Sequence, residues 1–385
     1  MRRLTLLPLL CAALVGCAAD DAQDSPSSTQ TDSSGVTIVH SMRPSWPEGA
    51  GWQLAAEPTL RIGEEEGAAE YLFSRVRGAR IVDDTVLVVA DGGSNQLRFF
   101  DLTGRFRFSV GREGQGPGEF EYLYGLPHCY SDSIVAADIS DRLSVFTKSG
   151  EFVRVLQMYG TPERQISPYQ FACGLEGIAA VNGWGSAMTD DENLFFVSHS
   201  HVYVGSLTDQ AMVDLGEFIA SERWATQSGG VVRGNRPHPF GRQTRFEVMV
   251  FDTDGTLQRL IRWDGVDLTL SAEVANTYYE WEVQRAPAAM QAAMRGDFRD
   301  MPLPGTRPSF SELMIDHAGN LWAREFNPIR DAPQRWIVFD DSGAWLGRMT
   351  LPSRLTTLEV FDDRIVGVER DDLDMERVVV YELLK

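Results

Sequence analysis

Residues 111–120 read Gly-Arg-Glu-Gly-Gln-Gly-Pro-Gly-Glu-Phe. Glycine reaches positive φ without steric cost and proline fixes φ, so this stretch is a tight loop and not the interior of an element. Ahead of it, Phe106, Phe108 and Val110 alternate with polar residues, the period-2 signature of a half-buried strand. Behind it, Tyr122 to Ile134 lacks helical spacing and leads into the apolar run Ile134 to Ala137, so the loop runs from strand to strand. That context excludes two phosphate-binding readings. A P-loop needs a lysine after its last glycine, whereas Gly116 is followed by Pro117. A dinucleotide fingerprint must open a helix, and none follows. What remains is a structural crossover whose backbone amides could form an anion nest.

Working outward, the surroundings of the loop recur. Leu60-Arg61-Ile62-Gly63 followed by an acidic stretch and Tyr71-Leu72-Phe73 matches Phe108-Ser109-Val110-Gly111 followed by the loop and Phe120. Val88-Val89-Ala90-Asp91 matches Val135-Ala136-Ala137-Asp138. An apolar pair ahead of a Gly-terminated turn begins at Phe99, Val145, Val250 and Val338, with shorter copies at Val204 and Val380. Six occurrences, spaced by 46, 59, 46, 88 and 42 residues, imply six units of four short strands, each of roughly 40–50 residues, the period of propeller blades. Inner runs such as Val86 to Ala90 are apolar on both faces, as a blade packed between two neighbours requires. The chain ends in an apparent third strand, Arg377 to Leu383, so Thr59 to Gly63 is expected to supply the fourth and close the ring.

These hairpins and the 111–120 loop resemble the bacterial six-bladed β-propeller lipoproteins related to NHL-repeat proteins. The best-matched parts are Ile81 to Tyr122, Phe246 to Trp263 and Pro302 to Phe339, including Ile315-Asp316-His317-Ala318-Gly319-Asn320-Leu321-Trp322. The expected fold is therefore all-β: a six-bladed propeller of four-stranded antiparallel blades over residues 36–385. Two departures stand out. Between Phe218 and Thr244 no clear copy of two inner strands is visible, so blade 4 is expected to be incomplete or irregular. Residues 270–296 form a helical insertion between blades 4 and 5, with Ser271 as N-cap, Val274, Tyr278 and Trp281 on one face, a break at Pro287 and a second helix through Met290 and Met294. It is expected to lie on the rim as simple packing, with a lid over the channel as the alternative.

The N-terminus reads as a targeting segment. Arg2 and Arg3 precede an apolar run, Leu4 to Val15, too short to span a membrane. Leu14-Val15-Gly16-Cys17 resembles a bacterial lipobox, which implies removal of residues 1–16 and lipid attachment at Cys17. Residues 17–35 then read as a lipidated N-terminus and flexible tether. By the same resemblance, Ala18 in place of Asp favours the outer membrane of a two-membrane cell envelope. A net charge of −20 argues against nucleic-acid partners. Cys129 and Cys173 stand nine residues ahead of Asp138 and Asn182, at matching points of neighbouring units. A disulfide is expected if their Cα atoms lie within about 7 Å; the alternative is a pair of buried thiols.

Chemistry is sparser. His199 and His201 alternate on one strand, a spacing able to donate two metal ligands, but no third is identifiable near Asp190, Asp191 and Glu192. His128, His238 and His317 are isolated. Asp91, Asp138 and Asn182 recur at corresponding blade positions and could ring the channel, as in lactonase-type hydrolases that hold a divalent ion; a turn or strand end demands the same residues. Arg112 and Glu119 either pair across the loop or face a ligand. No nucleophile elbow or His-Glu-x-x-His is present. The expected function is a monomeric, lipid-anchored module binding a small ligand or an envelope protein, with Asp91, Arg112, Glu119, Asp138 and Asn182 as candidate ligand-face residues and no catalytic residues or cofactor. The alternative is a metal-dependent, lactonase-like hydrolase or a lyase at the channel mouth, with a divalent cation such as calcium.

Overall fold

The computed structural model describes residues 27–385 apart from 128, 130–131, 141, 158–165, 174–177, 184–198, 207–210, 220–222, 228–229, 235–245, 253–255, 301–306, 308 and 328–331. The chain opens with a hairpin, β1 (Ser28–Ser33) and β2 (Val36–Ser41), then two short strands, β3 (Gln53–Leu54) and β4 (Leu60–Ile62). Blade 1 is β5 (Val76–Val82), β6 (Val86–Asp91), β7 (Gln96–Asp101) and β8 (Phe106–Val110). Blade 2 is β9 (Leu123–Gly125), β10 (Ser133–Asp138), β11 (Arg142–Thr147) and β12 (Phe152–Gln157). Blade 3 is β13 (Ile166–Cys173), β14 (Ile178–Gly183), β15 (His199–Ser206) and β16 (Ala211–Ile219). Blade 4 is β17 (Arg223–Gln227), β18 (Gly230–Gly234), β19 (Phe246–Asp252) and β20 (Leu257–Trp263). Two helices, α1 (Ala272–Arg285) and α2 (Ala288–Asp300), precede blade 5: β21 (Glu312–Ile315), β22 (Leu321–Arg324), β23 (Gln334–Phe339) and β24 (Trp345–Leu351). Blade 6 has β25 (Leu355–Val360), β26 (Arg364–Arg370) and β27 (Glu376–Leu384).

The first strands of neighbouring blades pack against one another, β5 on β9, β13 on β17, β17 on β21 and β25 on β5, which places them around a central axis. Between blades lie continuous apolar layers. Phe99, Phe120 and Phe146 fill the seam of blades 1 and 2, and Phe246, Phe310 and Phe339 that of blades 4 and 5. This is why β6 and β10 are buried on both faces: each side of a blade is an interface. The outer strand β8 faces a neighbour only in part and exposes Phe108.

The repeating turn between third and fourth strands has a local cause. The Asp101 carboxylate accepts the Thr103 and Arg105 amides at 3.0 and 3.1 Å, and Gly104 takes φ +87°. Asp340 repeats this with the Ser342 and Ala344 amides at 3.0 and 2.8 Å and Gly343 at φ +90°. In blade 2 the Thr147 hydroxyl substitutes, accepting from the Glu151 amide at 3.0 Å.

The ring closes through the N-terminal strand: Ile62 of β4 stands opposite Val378 of β27, and Leu60 opposite Val380. Further along the same edge, Leu54 of β3 pairs with Leu383. Three expectations need correction. Blade 4 has its full set of strands, β17 and β18 occupying the segment where the sequence showed no inner pair. Residues 28–33, assigned by composition to a flexible tether, form β1; β2 then runs parallel to β20, so the hairpin widens blade 4 to six strands. Ser271 does cap α1, its Oγ accepting the Val274 amide at 3.2 Å, but the buried face carries Ala275, Tyr279 and Val283, with Val274, Tyr278 and Trp281 half-buried beside it. The helix is turned because Tyr279 stacks on Phe298 of α2, ring centroids 4.5 Å apart, while Met290 is exposed. No helix among the described residues is long and apolar enough to cross a membrane.

Candidate functional site

The 111–120 loop joins β8 to β9, outer strand to inner strand, on the face where the blades hand the chain on. Gly111 has φ +91°, and a Cβ there would lie 2.6 Å from the Phe120 ring. The Phe120 amide donates to the Arg112 carbonyl at 2.9 Å and the Gly114 amide to the Phe120 carbonyl at 3.1 Å. Glu119 is drawn inward: it accepts the Gly116 amide at 2.8 Å and Arg112 Nε at 2.7 Å. Those bonds, the amide first and the guanidinium second, hold its carboxyl below the usual carboxylate range. The nest is therefore filled by the chain's own carboxylate, and Arg112 is engaged with it.

Asp91 and Asp138 end β6 and β10 and are both about 1 % exposed. Asp91 accepts the Ser74 amide at 2.8 Å, the Ser94 hydroxyl at 2.6 Å and Arg98 at 2.9 Å. Asp138 accepts the Glu121 amide at 2.8 Å, the Ser140 amide at 2.9 Å and Arg142 at 3.0 Å. Each ties the end of its second strand to the chain entering the first. Asn182 lies in β14 opposite Val202, and its side chain is outside the described residues. The same holds for His199 and His201 in β15; His128, His238, Asp190, Asp191, Glu192 and Cys17 also lie outside. Among the described residues no group of three or more His, Cys, Asp or Glu side chains converges as a metal site. Cys129 is buried and disulfide-bonded; the side chain of Cys173, in β13, is not among those described.

The structure instead assembles arginines along β5, the innermost strand of blade 1. Arg75 precedes it at φ +60°, a strained conformation for a long side chain, costing of order 1–3 kcal/mol. The strain is imposed from below. Asp91 holds the Ser74 amide, and the Gly92 and Gly93 amides bond the Arg75 and Ser74 carbonyls at 3.0 and 2.7 Å. Only glycine fits there, since a Cβ on Gly93 would lie 2.6 Å from that of Ser74. The Arg75 guanidinium stands 5.3 Å from the centre of the Tyr122 ring, and Arg77 5.4 Å from Tyr122 and 5.8 Å from Tyr124. Arg77 also donates to the Tyr122 hydroxyl.

Deeper along β5 is Arg80, 5 % exposed, with Nε and Nη1 lacking any hydrogen-bond partner. Burial pulls its pKa down, and the carboxylate of Glu359, on β25, pulls it back up. The two form no direct salt bridge; Glu359 Oε1 meets His317 Nε2 at 3.0 Å instead. His317, isolated in the sequence, thus reaches from blade 5 to blade 6 and lies against the Phe361 ring, centroids 4.0 Å apart. Also on β25, the Thr357 hydroxyl is buried without a partner. Arg75, Arg77 and Arg80 were missed in the sequence, although one signal was present: Val76-Arg77-Gly78-Ala79-Arg80-Ile81-Val82 carries two arginines in a strand otherwise made for burial.

A family model described as a 6-bladed beta-propeller matches residues 66–126, which span blade 1 and the 111–120 loop. No curated protein matches the sequence. Among solved structures, a member of the DUF4221 family from Bacteroides vulgatus is similar at 14 % identity, covering 86 % of this chain and 98 % of that one with a TM-score of 0.53. A putative exported protein from Bacteroides fragilis is similar at 12 % identity, covering 90 % and 99 %, with a TM-score of 0.48. Regucalcin from Agrobacterium tumefaciens, a calcium-binding protein, shares 11 % identity over 82 % and 92 %, with a TM-score of 0.42. With six sheets arranged around one axis, the family model and the DUF4221 structure agree on the fold: the chain is a six-bladed β-propeller similar to bacterial propeller proteins.

Proposed function

We propose that the protein is an extracytoplasmic binding module, lipid-anchored through Cys17, whose central channel takes a small ligand carrying a carboxylate or similar oxyanion. One observation carries the reading: Arg80, buried on the innermost strand, keeps two guanidinium nitrogens unpartnered. An unsatisfied buried donor costs stability, and a ligand acceptor would complete it. Arg75 and Arg77, over Tyr122 and Tyr124, form an entrance that attracts an anion to a chain whose net charge of −20 would otherwise repel it. The n-region, short apolar run and lipobox-like Leu14-Val15-Gly16-Cys17 support the anchor and an envelope location.

Thermal-shift and calorimetric titration with mono-, di- and tricarboxylates and inorganic phosphate, in EDTA, tests the channel. A saturable shift that Arg80→Met abolishes and Arg77→Gln weakens is the expected result. Arg80→Met should itself fold, because an unbranched chain of similar length fills the same buried space and Glu359 keeps its contact to His317 at 3.0 Å. Failure of every anion to bind would overturn the reading. A calcium-dependent rise in melting temperature lost in Asp91→Asn or Asp138→Asn would support a metal-dependent hydrolase in its place. Cys17→Ser is expected to release the protein from membranes; persistent membrane association would count against the anchor.

A further inference from the structure

The excursion carrying α1 and α2 leaves the propeller after Leu268 and returns at Arg307, whose amide donates to the Leu268 carbonyl at 3.0 Å. The two ends of this stalk, with the ends of β22 and β23 and the middle of β24, enclose a cavity of about 250 Å³. Its wall carries Arg307, Arg335 and Arg348 against Asp267 and Glu325, and Val266 and Phe326 supply an apolar side.

The arginines are held in place before any ligand arrives. Glu325 accepts Arg335 Nε at 2.8 Å through one oxygen and Arg348 Nε at 2.9 Å through the other. Arg348 also lies against a pair of touching indole rings, 5.1 Å from the Trp263 ring centre and 5.4 Å from that of Trp345. Arg307 Nε donates to the Asp267 carbonyl at 2.6 Å. In each case Nε is spent on the protein. The terminal nitrogens of Arg335 have no partner among the described residues. Three guanidinium groups against two carboxylates leave one positive charge in excess at a partly enclosed site.

We infer that this cavity is a second ligand site, separate from the channel, that takes a small monocarboxylate bearing an apolar group. The planar fork of arginine matches a carboxylate, the single excess charge matches a monoanion better than a phosphate dianion, and Val266 with Phe326 receives the apolar part. The size suits a fragment of benzoate dimensions and excludes a larger cofactor. Phe326 is at once a wall of the cavity and a partner of the helices, packing on Tyr278 with ring centroids 5.8 Å apart. The helical insertion thus has a role beyond covering the rim: its stalk builds the site.

Isothermal titration of the purified full chain with benzoate tests this, performed in the Arg80→Met background so that the channel does not contribute. Saturable binding, weakened about tenfold or more by Arg335→Gln and by Arg307→Gln, supports the site. Both side chains are partly exposed, so circular dichroism and melting temperature should show both variants folded. Arg335→Lys, which keeps the charge and loses the fork, should fail to restore the affinity. Absence of benzoate binding, binding unaffected by either variant, or inorganic phosphate binding more tightly than benzoate would overturn the inference.

Discussion

Arg80 and Arg98 are equally buried and have opposite meanings. Arg98 donates to Asp91, to the Ser94 hydroxyl and to the Glu70 and Leu72 carbonyls, so it welds the approach to blade 1. Arg80 leaves two nitrogens unused. The distinction is testable through their partners. Asp91→Ala strands Arg98 as an uncompensated buried charge and should cost about 3–5 kcal/mol, read as a lower urea midpoint. Gly111→Ala forces a Cβ onto Phe120 at positive φ and should lose at least about 1 kcal/mol in the same assay. At this scale the sequence showed that aspartate recurs at Asp91 and Asp138, but recurrence does not say what a carboxylate faces. Both face inward to backbone amides and arginines, geometry that sequence spacing cannot carry.

Strands were legible wherever alternation or two-sided burial left a pattern, as in β6, β10 and β19. The inner pair of blade 4 was not. Arg223–Gln227 and Gly230–Gly234 have little apolar content, and the pairing of β18 with β19 and of β17 with β18 decides that they are strands. The buried face of α1 lies one to two positions beyond the Val274, Tyr278 and Trp281 stripe, because docking on Phe298 and Phe326, not hydrophobic count, sets the rotation. The disulfide belongs to this scale as well. A bond from Cys129 to Cys173 would join blade 2 to blade 3; a non-reducing peptide map should recover both cysteines in one linked species. Cys173→Ser should then lower stability by about 2–4 kcal/mol under oxidising conditions.

Ring closure governs the molecule as a whole. Leu60 and Ile62 are buried in the layer between blades 6 and 1, with Val76, Ile81, Val366 and Val378. Ile62→Ala should cost about 2–5 kcal/mol, and a chain beginning after Gly63 should lose cooperative unfolding, measured by urea titration. Stability should also fall at both pH extremes. Hydrogen bonds hold Asp101, Glu119 and Asp371 below the usual carboxylate range, led by the Thr103 hydroxyl, the Gly116 amide and Arg377 respectively. The unfolded chain takes up protons first, near pH 4, so this stabilisation is present above that pH and is lost on further acidification. Burial, with a bond to Glu369, pushes the Tyr381 phenol up to about 12. Its contribution is complete below the unfolded value of about 10 and disappears as the pH rises toward 12. Tyr381→Phe should flatten that alkaline limb in denaturant titrations across pH.

The sequence by itself determined the architecture, because a blade is a local object: its strand alternation, its Asp-and-Gly turns and its two-sided burial are written within one repeat and copied around the ring. It also marked the N-terminal strand that closes the circle, since the last repeat was visibly one strand short. Which side chains meet at the centre was decided only by the tertiary structure. Arg80 and Glu359 are 279 positions apart, brought together because the first and sixth blades become neighbours on closure. Arg307 and Arg335 share a cavity because a helical excursion returns to its own starting point. Such contacts depend on the closed ring, and no single repeat contains them.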